Sequence, residues 1–251
     1  MIFEKPPAVI GHRGLGSGDR TPPGGASGPV AENTLPSLLA AVDAGLGWVE
    51  IDVTRTADDH LVLRHDPTVE GGDHIVDMPA DASGLPLLTE IFDALPADVA
   101  VDVDVKTVLE DAVDAPSRRT GALLLPVLKR EARRRRLLVT SFDPALLVFL
   151  RDELPDVPLG LLTWLRFPMW HAVPAAAGLN LQAIAVHTGS CGFEHPDSRL
   201  RPLDHCVDVA HQAGLDVIAW CPAADRAPDY VAAGVDAMVV NDVPGVLTAL
   251  A

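Results

Sequence analysis

The sequence is short of several things, and each shortage closes a route. Among its 251 residues only three are cysteine, Cys191, Cys206 and Cys221. They are too few and too scattered for a disulfide framework or a zinc site, and read as reduced thiols, although one pair could in principle bridge. Cations are scarce as well. Lys and Arg number 19 against 35 Asp and Glu, which leaves a net charge of -16. Such a chain repels nucleic acid, so no nucleic-acid partner is expected. A small anionic substrate remains open, because a metal or a local cluster of cations can dominate one cleft. The N-terminus, Met1 to Pro7, has no basic segment leading into a long apolar core, and no run anywhere approaches a membrane span. No signal peptide, no stable membrane insertion and a cytoplasmic location are therefore expected.

What is present begins with apolar content. Hydrophobic residues make up 48% of the chain, enough for a sizeable core, and the length suits one large or two small domains. Val9-Ile10 runs into Gly11-His12-Arg13-Gly14 and reads as a first strand ending at glycines. Residues 15–30, rich in Gly, Pro and Ser, read as a long flexible loop, either covering a site or disordered. Glu32-Asn33-Thr34 opens a helix that Asn33 or Thr34 can cap, and Gly45 and Gly47 stop it. Strand two runs from Trp48 to Thr54, with Leu61 to Leu63 as a hairpin partner ending at His65-Asp66. Residues 67–86 are a short polar excursion. A helix at 87–95 and a strand at 99–105 follow, and from there helices and strands alternate regularly to a closing helix at 243–250. About eight strands separated by helices in this length predict a (β/α)8 TIM barrel as a single domain over 1–251. A doubly wound open sheet is the alternative, but the Gly-rich dinucleotide turn it usually carries after its first strand is missing.

Glu50 and Asp52 lie two residues apart within the apolar, β-branched run Val49 to Val53. A strand alternates faces, so both carboxylates point the same way. Two readings stand: a divalent-cation site, or an exposed edge strand with two solvated acids. A barrel sharpens the choice, because its active site is built at the C-terminal ends of its strands. Those ends carry His12 and Arg13, Glu50 and Asp52, Asp104 and Lys106, Ser141, Trp164, His187, Trp220, Asn241 and Asp242, with His65 at the end of the hairpin. Glu50, Asp52 and Asp104 offer hard oxygen ligands for Mg2+ or Ca2+. Arg13 suits a phosphate with its fork of donors, Lys106 adds a point charge, and His12 and His65 are suited to general acid–base work. This combination points to phosphoester hydrolysis.

Gly11-His12-Arg13-Gly14, Glu32-Asn33-Thr34, Glu50-Ile51-Asp52-Val53 and His65-Asp66, in that order, resemble the glycerophosphodiester phosphodiesterase family. Val103-Asp104-Val105-Lys106 stands where that family has Glu-Ile-Lys, and Ser141-Phe142-Asp143 and Gly234 to Pro244 also match. The resemblance spans residues 9–247. It implies a TIM barrel, a divalent cation, and hydrolysis of small-molecule glycerophosphodiesters to sn-glycerol 3-phosphate and an alcohol. It also implies that His12 and His65 are the acid/base pair, and that Arg13 and Lys106 hold phosphate. Glu50, Asp52 and Asp104 would hold the metal, and Glu32 would sit by the substrate, supporting His12 or Arg13. The family often proceeds through attack by the glycerol 2-hydroxyl and a cyclic phosphate.

Three departures stand out. Asp104 is a methylene shorter than the usual Glu, so an ion must sit closer to its strand or reach it through water. The family's Trp-Thr-Val-Asn is here Trp220-Cys221-Pro222-Ala223, which keeps Trp220 as an apolar wall for glycerol and loses the Asn. The 15–30 loop is long and the 67–86 excursion short, which leaves the leaving alcohol open. A non-catalytic phosphate-binding barrel is the alternative reading. The retention of both histidines speaks against it.

The remaining polar groups read as ordinary. Asp102 lies one layer below Asp104 and reads as structural, or as a support behind the residues of the site. Arg133 to Arg136 read as a solvent-facing run at the C-terminal end of a helix, and Cys221 as a packed thiol. His171, His195, His205 and His211 join no constellation. Oligomeric state is left open.

Overall fold

Side-chain alternation decides which residues of each strand face inward, and here it sorts the chain into two cores. The computed structural model describes residues 1–22, 28–194 and 197–251. Residues 23–27 of the expected loop, and His195, lie outside the described residues. The strands are β1 (Ala8–Gly11), β2 (Trp48–Arg55), β3 (Leu61–Leu63), β4 (Ala100–Val105), β5 (Leu137–Ser141), β6 (Leu159–Leu162), β7 (Ala183–His187), β8 (Asp216–Trp220) and β9 (Ala237–Val240). All but β3 pair in parallel around a closed cylinder, because β1 pairs with β2 on one side and with β9 on the other. β3 folds back antiparallel on β2. This is the expected (β/α)8 barrel. The open-sheet alternative is excluded by the β1–β9 pairing, and the edge-strand reading of Glu50 and Asp52 by the flanking of β2 on both sides.

The helices are α1 (Leu35–Asp43), α2 (Ala80–Ser83), α3 (Leu88–Ala94), α4 (Thr120–Glu131), α5 (Pro144–Glu153), α6 (Met169–Gly178), α7 (Leu203–Gln212), α8 (Ala227–Ala232) and α9 (Val243–Ala249). Among the described residues no helix is long and apolar enough to cross a membrane. Thr34 caps α1, accepting from Ser37 N. The loop before α1 is closed at its base, where Arg20 and Val30 exchange two backbone hydrogen bonds of 2.9 and 2.7 Å.

The outward faces of the strands, such as Val49, Ile51 and Val53 of β2 and Val101, Val103 and Val105 of β4, pack under the helices. The inward faces build a second core from Ile10, Trp48, Ala100, Leu138, Ala183, Ile218 and Ala237. Phe3 plugs the N-terminal end of the barrel, its ring 5.3 Å from that of Trp48. Two residues further along the same face, Trp48 gives way to Glu50 and Ala100 to Asp102. The interior is thus apolar at one end and charged at the other, and the charged end is where the strands terminate.

One run of charge departs from expectation. α4 stops at Glu131, and the turn that follows sends Arg135 inward rather than into solvent. Its guanidinium donates to Glu131 Oε2 at 2.9 Å and to the carbonyls of Phe92 at 2.9 Å and Pro96 at 3.0 Å. The carbonyls at the C-terminal end of α3 need donors, and the fork of Arg135 supplies them.

Candidate active site

The register of β2 on β4 sets the first half of the site. Glu50 pairs with Asp102, and Asp52 with Asp104. Shared parity turns all four carboxylates into the barrel. One oxygen each from Glu50, Asp52 and Asp104 lies within 4.8 Å of the other two, so the shorter Asp104 does reach the cluster. Glu50 Oε1, Asp52 Oδ1 and Asp104 Oδ1 are buried and find no hydrogen-bond partner among the described residues. Asp52 Oδ1 lies 3.0 Å from Lys106 Nζ, an ion pair without hydrogen-bond direction. Lys106 also bonds Asp104 Oδ2. Buried anionic oxygens left in this state are costly, and a divalent cation satisfies several at once. The donor set, three hard carboxylates, fits such an ion.

The electrostatics carry the same message. Burial, reinforced by Asp52 and Asp104, holds Glu50 well above the usual carboxylate range. Burial pushes Asp104 up to about 6 and Asp102 to about 8. Asp52 goes the other way. Burial raises it, but Lys106 and Arg13 outweigh burial and hold it below its ordinary value. The site therefore contains more negative charge than its own cations neutralise.

The C-terminal end of β1 builds the second half. Arg13 sits in the left-handed region at φ 54°. Its backbone N–H donates to Glu50 Oε2 at 2.8 Å, Nη1 donates to Glu32 Oε1 at 2.7 Å, and Nε lies 3.1 Å from Asp52 Oδ2. Glu32 also accepts from Gly18 N and so ties the loop to Arg13. His12 Nδ1 lies 2.5 Å from Asn241 Oδ1 and 3.6 Å from Cys221 Sγ, and its Nε2 is 3.9 Å from Glu50 Oε2. Burial pulls the His12 imidazole down, but the Cys221 sulfur and Asp52 outweigh it and leave it above its ordinary value. Across the mouth, His65 Nδ1 lies 2.8 Å from Asp66 Oδ1. The Asp66 carboxylate can only accept, so Nδ1 donates, and this bond holds Asp66 below the usual range.

These groups surround a cavity of about 680 Å3. His12, Arg13, Glu50, His65, Asp104, Lys106 and Trp220 all reach its wall, whereas Asp52 and Glu32 stand behind it. The opposite wall is aromatic. Phe142 stacks on Trp164 at 4.5 Å, and Trp220 meets Phe142 edge-on at 6.3 Å. Ser141 and Trp164 line the cavity; His187 packs edge-on against Trp220 at 4.3 Å. Sequence reasoning gave Asn33 only a capping role and Asp66 no role of its own, and missed the pairing of Asn241 with His12. Cys221, read as a packed thiol, instead approaches the His12 ring. The signal for Asp66 was its adjacency to His65. The others are brought in by barrel closure or by a tight turn, which no local pattern announces.

The chain is similar to known proteins over nearly its whole length. Residues 12–244 match the model of the glycerophosphoryl diester phosphodiesterase family. A glycerophosphodiester phosphodiesterase of Caldanaerobacter subterraneus subsp. tengcongensis is 23% identical over 261 residues, covering 93% of each chain. Among solved structures, an Oleispira antarctica phosphodiesterase in complex with the product sn-glycerol-3-phosphate superposes with a TM-score of 0.76 at 23% identity, over 97% of this chain and 96% of that one. A glycerophosphodiester phosphodiesterase from Parabacteroides distasonis gives 0.73 at 21% identity, over 97% and 96%. At these identities the structural likeness speaks to the fold.

Proposed function

The chain belongs to the glycerophosphoryl diester phosphodiesterase family and hydrolyses glycerophosphodiesters; from that premise we propose that it uses a divalent cation, Mg2+ or Ca2+, held by Glu50, Asp52 and Asp104, with His12 and His65 as the acid/base pair. The products are sn-glycerol 3-phosphate and an alcohol. The single observation that carries this reading is the set of three buried carboxylate oxygens without hydrogen bonds, gathered beside two histidines and two cations. The product bound in the similar Oleispira antarctica structure supports the assignment of glycerol 3-phosphate. A cation bound to the cluster supplies positive charge against the phosphoryl oxygens.

The chain's own residues do the rest. Arg13, braced by Glu32 and Asp52, presents a fixed guanidinium beside the cluster, and Lys106 adds a second positive charge. Trp220 and Phe142 form an apolar wall against the carbon skeleton of the substrate. One histidine takes the proton of the attacking hydroxyl as its oxygen bonds phosphorus. The other gives a proton to the alcohol oxygen as the old P–O bond breaks. With the glycerol 2-hydroxyl as attacker this step leaves a cyclic phosphate, which water then opens with the two roles reversed, so that glycerol 3-phosphate is released and both rings are reset.

The test is turnover. Purified protein with Mg2+ or Ca2+ releases glycerol 3-phosphate from glycerophosphocholine. His12→Ala and His65→Ala each lower kcat by roughly 100- to 10,000-fold. No turnover of any glycerophosphodiester by the metal-loaded protein, with tight glycerol 3-phosphate binding in calorimetry, would overturn the proposal in favour of a binding barrel.

A further inference from the structure

We infer that Asn241 is a positioning residue for His12, holding the imidazole with its proton on Nδ1 so that Nε2 is the proton acceptor. The inference rests on His12 being one of the acid/base pair, and it assigns His12 the base and His65 the acid.

The closing seam of the barrel brings the two residues together. β1 and β9 run in parallel with Gly11 opposite Val240, and the His12 N–H donates to Val240 O at 3.1 Å. His12 and Asn241 are the next pair beyond, on the same inward face. Asn241 Oδ1 then lies 2.5 Å from His12 Nδ1.

Which partner donates is settled by a third group. The Ser17 backbone N–H donates to the same Asn241 Oδ1 at 3.3 Å. A backbone N–H has no lone pair to offer, so the oxygen end of the amide must face this way. The His12 Nδ1 therefore carries the proton and donates it. Gly16 makes the approach possible, since a Cβ there would come within 2.0 Å of the Asn241 carbonyl oxygen. Cys221 Sγ, at 3.6 Å from the same nitrogen, is a distant and weak partner by comparison. At the other side of the ring, Nε2 is 3.9 Å from Glu50 Oε2, beyond hydrogen-bond reach, and faces the cavity.

The hydrogen bond at one ring nitrogen sets the chemistry of the other. With Nδ1–H fixed, Nε2 keeps its lone pair and accepts the proton from the attacking O–H as the O–P bond forms. Free histidine in water favours the opposite tautomer, with the proton on Nε2, which cannot accept there. His65, its Nδ1 held by Asp66, delivers its Nε2 proton to the departing alcohol oxygen.

The tautomer is directly measurable. Two-bond 1H–15N correlation on histidine-labelled protein, at a pH where the ring is neutral and with His12→Gln to assign the signals, is expected to show a protonated Nδ1 and a bare Nε2 at His12. Asn241→Leu, of similar size but without an acceptor, shifts the ring toward Nε2–H and lowers kcat by roughly a hundredfold or more, with KM nearly unchanged. Asn241→Asp keeps an acceptor and restores Nδ1–H, which a purely structural role for the amide would not require. Asn241→Ala carries the same expectation as the leucine should that variant fail to fold. A wild-type His12 protonated on Nε2, or Asn241→Leu and Asn241→Ala with wild-type kcat, would overturn the inference. Full activity in His12→Ala would instead sink the acid/base reading beneath it.

Discussion

Asn33 holds Asp52 by two hydrogen bonds at once. Its Nδ2 donates to the carboxylate Oδ2 at 2.8 Å, and its Oδ1 accepts from the Asp52 backbone N–H at 3.0 Å. Asn33 itself adopts φ 55°, in the left-handed region that Asn tolerates better than most residues. The turn that starts α1 is thereby bolted to β2, and one carboxylate of the buried acidic cluster is fixed in direction.

Two substitutions separate the backbone from the side chain. Asn33→Gly accepts the left-handed backbone but loses both bonds to a buried carboxylate residue. It is expected to cost about 1.5–3 kcal/mol of stability in urea unfolding and to weaken Mg2+ binding, because Asp52 is free to turn. Asn33→Ala loses the same bonds and adds about 1 kcal/mol of backbone strain. An Asn33→Ala variant more stable than Asn33→Gly by the roughly 0.4–1 kcal/mol that glycine loses through the unfolded chain would show that the left-handed turn carries no cost here.

The cluster of Glu50, Asp52 and Asp104 predicts a ligand-dependent stability. Three buried, unbonded carboxylate oxygens mean that the metal-free fold carries unbalanced charge. Mg2+ or Ca2+ at about 100 times its Kd should raise the unfolding free energy by about 2.7 kcal/mol, and chelation should return it with loss of turnover. Asp52→Asn and Asp104→Asn should each blunt the gain. A wild-type melting temperature that ignores both ions and chelator would remove the case for the cluster.

Much of this arrangement was readable in the sequence, and the reason is geometric. Strand alternation put Glu50 with Asp52 and Asp102 with Asp104, and the alternation of strands with helices demanded that β2 and β4 be neighbours. The residues at strand ends followed, because a barrel gathers those ends at one mouth. What stayed hidden depends on contacts across long separations. Asn241 meets His12 only when the ninth strand closes on the first, 229 residues away. Asn33 resembled a helix cap, and its real partner, Asp52, lies beyond α1 on β2, 19 residues away. Arg135 sits in a run of four arginines in which composition gives each the same weight, while the turn after α4 buries one of them.

That run gives a sharp contrast between neighbours. Arg135 is buried and donates to Glu131, which is itself fully buried, and to carbonyls at the end of α3. Arg135→Ala should destabilise by about 3 kcal/mol, since Glu131 Oε2 and the Phe92 carbonyl lose their donor, while Arg130 still donates to Glu131 Oε1 at 2.7 Å. Arg135→Lys should recover only part, because a single ammonium cannot reach as many acceptors. Arg136, half-exposed and 3.1 Å from the exposed Glu4, should change stability by less than about 1 kcal/mol on replacement by Ala. Similar losses at both positions would show that the fork of Arg135 is not what binds α3 to α4.

The pH dependence of the metal-free fold turns on Asp102. Burial, with help from Asp104, pushes its carboxyl from 3.8 to about 8, and its Oδ1 accepts from Thr140 Oγ1 at 2.9 Å. Between these two values the folded protein keeps this proton while the unfolded chain has lost it. Folded protein therefore binds more protons, and stability falls as pH rises. The contribution is fully present below about pH 4 and is gone once pH passes about 8, with a slope of at most about 1.4 kcal/mol per pH unit. Asp102→Asn keeps the acceptor for Thr140 and has no proton to lose. Its metal-free unfolding curve should be shallower than wild type from pH 6 to 8 and rise above it there, while Glu50, held well above the usual carboxylate range, and Asp104, pushed to about 6, keep the rest of the slope. Urea midpoints for both proteins at pH 4.5, 6 and 7.5 measure the difference. Parallel curves would mean that Asp102 is already ionised in the fold, and that its charge is balanced by a group other than Thr140.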